Sequence, residues 1–289
     1  MTATVIGRAR PSGVRVGSAR SAGRQPQGPR RARRLAPGTS GPLFRLVGPL
    51  LLLAAWASAS ATGLLSAQTL SAPWTVVRAA GDLFADGRLQ DNLSPSLVRS
   101  GLGLAAGVAA GLALALVAGL SRWGEALVDG PLQVKRSIPT LALIPLAILW
   151  LGVGEPMKVT LIALAVLVPV YVTTHAALRG VDARFVELAE SVGLSRGAFV
   201  RRVALPGALP GFFTGLRMAV TVSWLALVVV EQINATSGIG YLMTQARTYG
   251  QTDVIVVGLV LYGVFGLVSD TAVRWAERRA LSWRRSLAR

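Results

Sequence analysis

Few side chains in this sequence are equipped for covalent or metal chemistry. There is no cysteine and only one histidine, His175. That excludes disulfides, thiolate metal sites and a cysteine nucleophile, and leaves His175 without a partner for a histidine metal set. His175 stands where an apolar run ends and reads as a helix-end residue rather than a proton relay. The only lysines, Lys135 and Lys158, follow Val134 and Met157, so no Gly-Lys-Ser/Thr loop exists to cradle a nucleotide phosphate. Gly238-Ile239-Gly240 is a lone glycine pair and reads as a tight turn. No catalytic residue and no metal are therefore expected. The polar residues offer a pattern instead: Glu187-Leu188-Ala189-Glu190-Ser191-Val192-Gly193, nine residues, then Val203-Ala204-Leu205-Pro206.

That island has the grammar of two short helices. Asp182 suits an N-cap, and Glu187 and Glu190 follow it on the first helix. Gly193 suits the left-handed position past a helix end, Ser195 can cap a second helix, and Pro206 is expected to stop it. Phe185, Val186, Leu188, Ala189 and Val192 form an apolar set. They either await a partner or pack back onto the rest of the chain.

The elements around the island are apolar. The chain of 289 residues is 52% hydrophobic and 15% charged, with a mean hydropathy of +0.54, which is membrane-protein composition. The net charge of +17 is concentrated: the first acidic residue is Asp82, while Met1–Phe44 holds nine arginines from Arg8 to Arg34. Basic charge beside a span is a topological and lipid-surface signal, so nucleic acid is not an expected partner. Residues 1–42, rich in Arg, Gly, Ser and Pro, read as a disordered cytoplasmic tail.

Six apolar runs follow, at Leu46–Leu65, Val98–Leu120, Ile138–Val153, Val159–Thr174, Phe213–Val230 and Val254–Val268. The first, with its basic approach and the stretch Ala57-Ser58-Ala59-Ser60-Ala61, has the features of a cleavable secretory signal. Its continuation through Leu64 and Leu65 favours a retained anchor. Placing the tail inside puts Arg122, Lys135, Arg136, Arg179, Arg184, Arg196, Arg201, Arg202 and the arginines from Arg274 onward inside as well. Arg78, Arg88, Arg99, Lys158 and Arg247 fall outside. The pattern predicts six spans with both termini cytoplasmic.

In the second run Gly103, Gly107, Gly111, Ala115 and Gly119 recur every four residues, giving a small-residue face for close helix packing, static or sliding. Pro139, Pro145 and Pro169 predict kinks in the third and fourth runs. Trp74–Leu97 reads as partly amphipathic and interfacial. Arg217, Thr221, Ser223, Trp224 and Glu231 on the fifth run are candidates for lining a pathway. Glu231, at the outer end, reads as an outer gate or, preferably, as a structural partner of the Asn234–Ser237 turn.

The spacing Glu187-x-Ala189-x3-Gly193-x9-Val203-x-Leu205-Pro206 resembles the cytoplasmic signature of permease subunits in bacterial ABC importers. Leu188 stands where the signature often has alanine. Further stretches resemble the branch handling nitrate, taurine and aliphatic sulfonates: Ser121-Arg122-Trp123, Ser137 to Pro145, Ile148 to Gly152, Gly193 to Arg196, Leu205 to Pro210, Ser237 to Leu242 and Gln251 to Val254. The resemblance covers residues 43–285 and leaves out the arginine-rich tail. It implies an all-α membrane protein with six transmembrane helices in the type I ABC importer permease (MetI-like) fold, in the bacterial inner membrane. It also implies a coupling loop at 179–212 whose residues 182–206 seat on separate cytoplasmic ATPase subunits. No cofactor is then bound by this chain, ATP and Mg belonging to the ATPase. An extracytoplasmic solute-binding protein and a second copy of the chain are implied partners. The implied cargo is a small anionic organic solute; another small solute such as a vitamin precursor, or an ion-coupled secondary carrier, is the alternative.

Overall fold

The computed structural model describes residues 44–283, with side chains from Val47 onward, and every regular element among them is helical. The chain divides into two units, Met1–Gly48 and Pro49–Arg289. The tail expected at 1–42 and the closing Arg284, Arg285 and Arg289 lie outside the described residues. The α-helices are α1 (Phe44–Ala61), α2 (Pro73–Ala85), α3 (Arg88–Leu120), α4 (Arg122–Ser137), α5 (Ile144–Leu151), α6 (Glu155–Arg179), α7 (Ala183–Ser191), α8 (Arg196–Phe199), α9 (Leu205–Asn234), α10 (Ile239–Thr248) and α11 (Thr252–Ala280).

Six spans are expected from the apolar runs; the described helices support four, or five if a bent pair counts as one. Helices α3, α6, the continuous helix Arg196–Asn234 and α11 are long and apolar enough to cross a membrane. The run expected at 138–153 is helical only over Thr140–Leu151, too short to span alone, and it meets the preceding segment Arg122–Ser137 at 91°. Pro139 causes the break. Its ring pushes Ile138 out of the helical region, to φ −94° and ψ 119°, and a 3₁₀ turn at Thr140–Leu143 leads into α5. Pro145 then sits at the start of α5, where a missing N–H is harmless, while Pro169 lies inside an unbroken α6. The first run also ends early: Val47–Ala61 is apolar but shorter than a span, and Gly63 at φ 76° turns the chain before Leu65.

α6 lies between α3 and α9. Its Leu161, Ile162, Val166 and Val170 are fully buried against Ala219, Val220, Leu227 and Val230 of α9. The small-residue face of α3 lies against the other side of α6. A Cβ added at Gly107 would meet the Ala163 carbonyl oxygen at 2.5 Å, at Gly111 the Leu167 carbonyl oxygen at 2.7 Å, and at Gly119 the Leu178 side chain at 2.7 Å. Gly103 lies on Ile162 in the same way, and Ala115 is wholly buried near Tyr171. With no hydrophobic force between helices in lipid, this close approach is what joins α3 to α6.

The segment expected to be interfacial divides in two. Pro73 starts α2, which buries Val76, Ala79 and Leu83 against Leu242, Ala246, Val254 and Val257 and leaves Trp74, Val77 and Phe84 exposed. From Arg88 onward the residues belong to α3, which begins ten positions before the expected span at Val98.

Candidate functional site

The island folds from its caps. Asp182 Oδ1 accepts the Arg184 N–H at 2.9 Å and starts α7. Gly193, at φ 66°, ends it. The Leu194 N–H returns to the Ala189 carbonyl at 2.8 Å and the Gly193 N–H to the Glu190 carbonyl at 3.0 Å, the Schellman pattern that needs a left-handed residue. Ser195 Oγ accepts the Ala198 N–H at 3.4 Å and opens α8.

Pro206 does not stop the second helix as expected. Arg196–Asn234 is one continuous helix of 39 residues, with a π-helical turn at Val200–Ala204 directly before the proline. The wider turn leaves room for the proline ring where it would otherwise strike the carbonyl four residues back, and Pro206 falls in the first turn of the α-helical register that follows. The second helix of the island is therefore continuous with a spanning helix.

Ala189 is buried, whereas Phe185, Leu188 and Val192 are 54%, 60% and 66% exposed. Glu187 and Gly193 are also exposed, Val203 and Pro206 are half-buried, and Leu205 is slightly more exposed than these. The apolar set is thus left uncovered by the chain's own helices. The island is tied directly to one of them, and the α6 end beside it is tied to α4. Arg196 donates to the Leu120 carbonyl, an orphan acceptor at the end of α3, at 2.8 Å. Arg179 of α6 pairs with Glu125 of α4 at 2.8 Å, and the Tyr171 hydroxyl donates to Asp129 of α4 at 3.1 Å.

The pathway candidates do not share one environment. Thr221 and Trp224 line a groove of about 530 Å³ between α9 and α11, completed by Leu225, Val228, Tyr262, Leu267 and Asp270. Trp224 stacks on Phe265 and donates Nε1–H to Ser269 Oγ at 3.2 Å. Arg217 pairs with Asp270 at 3.0 Å, and Asp270 also pairs with Arg274. Ser223 is buried on another face, donating to the Val220 carbonyl at 2.8 Å.

Glu231 belongs to a charge cluster, buried except for Glu155, whose other members, Arg99, Glu155 and Lys158, the sequence reading left in outer loops or passed over. α6 runs from Glu155 to Arg179, next to the island, so the cluster lies at the opposite end of that helix, roughly 37 Å away. The Glu231 side chain is 0% exposed. It accepts from Arg99 Nη1 at 2.7 Å, Ser96 Oγ at 2.8 Å, the Gly240 N–H at 2.9 Å and the Tyr262 hydroxyl at 3.1 Å. The Ile239 N–H donates to Ser96 Oγ and the Gly238 N–H to Asn92 Oδ1. A carboxylate thus sits at the N-terminus of α10, where the helix dipole and free N–H groups favour an anion. On its other edge Arg99 grips Glu155 through Nε at 2.6 Å and Nη2 at 2.7 Å, and also donates to the Ser237 carbonyl at 2.6 Å. Lys158 completes the set, 3.0 Å from Glu155.

Two cations and two carboxylates thus fasten α3, α6 and α9 to the α10 turn. Glu231 bonds the Gly240 N–H directly and reaches Ser237, the last residue of the Asn234–Ser237 turn, through Arg99. The sequence signal was available: Arg99 lies in an apolar helix, and Glu155 and Lys158, at i and i+3, open another.

Among the described residues no group of three or more His, Cys, Asp or Glu side chains could hold a metal ion. The family described as binding-protein-dependent transport system inner membrane component matches residues 107–282. The chain is 45% identical to the protein of Escherichia coli (strain K12) that carries the name aliphatic sulfonates transport permease protein SsuC, covering 81% of this chain and 89% of that one. The Bacillus subtilis (strain 168) protein of the same name is 37% identical over 93% of this chain and 98% of its own. The taurine transport system permease protein TauC of Escherichia coli (strain K12) is 33% identical over 81% and 86%. Among solved structures, the crystal structure of an amino acid ABC transporter with histidines aligns with a TM-score of 0.56 at 21% identity, over 70% of this chain and 96% of that one. Nitrate is not among the solutes these names carry.

Proposed function

This chain belongs to the binding-protein-dependent transport system inner membrane components, and from that premise we propose that it forms the translocation path for a small anionic sulfonate-type solute. As a family member it is a multi-pass, inner-membrane ABC permease subunit rather than an enzyme. ATP and its Mg²⁺ are bound by a separate ATPase, whose docking element is Glu187, Leu188, Ala189, Gly193, Val203, Leu205 and Pro206. The single observation that carries this reading is the uncovered apolar face of α7, joined by the tight Gly193 turn to the continuous helix Arg196–Asn234. A partner closing on that face moves α9 directly, biasing a two-state bundle without any chemistry inside the membrane. A second copy of the chain, an extracytoplasmic solute-binding protein and cytoplasmic termini complete the proposal. The names of the sulfonate and taurine permeases support the cargo class.

Reconstitution of the chain in proteoliposomes, with its ATPase and its solute-binding protein, tests the proposal. Uptake of a radiolabelled alkanesulfonate is expected to require ATP and to survive collapse of ion gradients. Uptake that persists without ATP and fails with the gradient would mean an ion-coupled carrier instead.

A further inference from the structure

We propose that Arg99 and Lys158 form an acceptor site for the acid group of the transported anion, and that the Glu155 carboxylate occupies this site when no anion is present. The proposal rests on the anionic-solute reading above and places the site at the end of the bundle opposite the docking element.

The cluster is asymmetric in a way that a purely structural staple does not require. The Arg99 and Lys158 side chains are 4% and 3% exposed, whereas Glu155 is 57% exposed. Glu231 is held by four donors from α3, α10 and α11 and is wholly enclosed. Glu155 is held only by the two cations, through two bonds from Arg99 and one from Lys158.

Moving Glu155 out of the site therefore displaces a carboxylate that is already more than half exposed. It leaves two buried cations facing one buried carboxylate, a local charge of +1 in a poorly solvated site. An uncompensated buried charge of that kind strongly favours a replacement anion. The vacated geometry is specific: the Nε and Nη2 edge of Arg99 presents a bidentate fork, and Lys158 presents a third donor beside it. A sulfonate offers three equivalent oxygens, two for the fork and one for the ammonium. A neutral solute offers no such exchange. The carboxylate that competes for the site also keeps the bound anion weakly held, as onward transport requires.

Thermal melting of the purified chain and uptake by the full complex test this together, with methanesulfonate as the probe and chloride at equal ionic strength as the control. Glu155→Gln removes the competing charge. It is expected to lower the melting temperature in chloride and to regain it saturably with methanesulfonate, a regain abolished by adding Lys158→Met. In uptake, Lys158→Met is expected to raise KM by about tenfold, the loss of one charge-assisted hydrogen bond, with little change in kcat. Glu155→Gln is expected to lower KM. If Glu155→Gln does not fold, Glu155→Asp carries the test, since it withdraws the competing charge by one methylene and shifts KM in the same direction. Equal melting in the two anions, or losses of kcat with KM unchanged in all variants, would overturn the site. Absence of any ATP-dependent anion uptake by the unaltered complex overturns the transport reading instead, while the melting experiment still reads the site.

Discussion

Gly193 stands at φ 66° with nothing within 4 Å of where a Cβ would project. A side chain there is opposed by the backbone alone, and for a residue that avoids the left-handed region the penalty is roughly 1–2 kcal/mol. Gly193→Val is therefore expected to open the Schellman turn and weaken co-purification of the ATPase, while membrane insertion and the melting of the bundle stay near the unaltered values. Unchanged co-purification would remove this turn from the docking element. Glu231 presents the opposite case, a residue whose whole meaning is in its contacts. Its four donors come from three other helices, from nine to 135 residues away along the chain. Sequence alone offered an ionisable group at the end of an apolar run; the counter-charge on α3 emerges only when α3, α6 and α9 are packed.

Among the elements, the π-helical turn at Val200–Ala204 does the most to relate the island to the membrane. It lets Pro206 sit inside a continuous helix, so α8 and α9 move as one body. It also sets the rotation of the island about the α9 axis. Deleting Arg201 removes the extra residue of the turn and rotates the upstream segment by roughly 100° while drawing it in by about 1.5 Å. The expected outcome is an assembled complex in which ATP hydrolysis continues but sulfonate uptake falls severely, measured side by side in proteoliposomes. Retained uptake would show that the pitch of the island relative to α9 is immaterial to transport. The glycine face of α3 is a different sort of element. There the separation of two helices is fixed by the absence of side chains, and carbonyl oxygens of α6 stand where Cβ atoms would go.

For the whole molecule, the arrangement places the island and the charge cluster at opposite ends of α6. The proposed topology puts the island on the cytoplasmic side. Because the chain has no cysteine, single substitutions report sidedness without background. Glu187→Cys is expected to react with a membrane-impermeant maleimide only from the cytoplasmic side of inverted vesicles, and Val153→Cys only from the outside of intact spheroplasts. Reversed labelling would invert the topology and detach the island from any cytoplasmic ATPase.

Composition and the apolar runs were enough to establish a helical membrane protein, because hydrophobic length, glycine and proline positions and helix caps act locally and are written in consecutive residues; the permease role was legible only through the resemblance of the island's spacing to a family signature. The every-fourth-residue glycine pattern likewise announced a close helix contact, though not that α6 would be the neighbour. Three features were decided only by the packed chain. The bend of 91° at Pro139 set the short helix of the third run against α4, the π-helical turn carried the helix through Pro206, and the cluster around Arg99 drew together residues as far apart as 96 and 231. The cluster depends on where each buried charge finds its partner. In an apolar medium that partner must come from another helix, at a distance along the chain that no local pattern records.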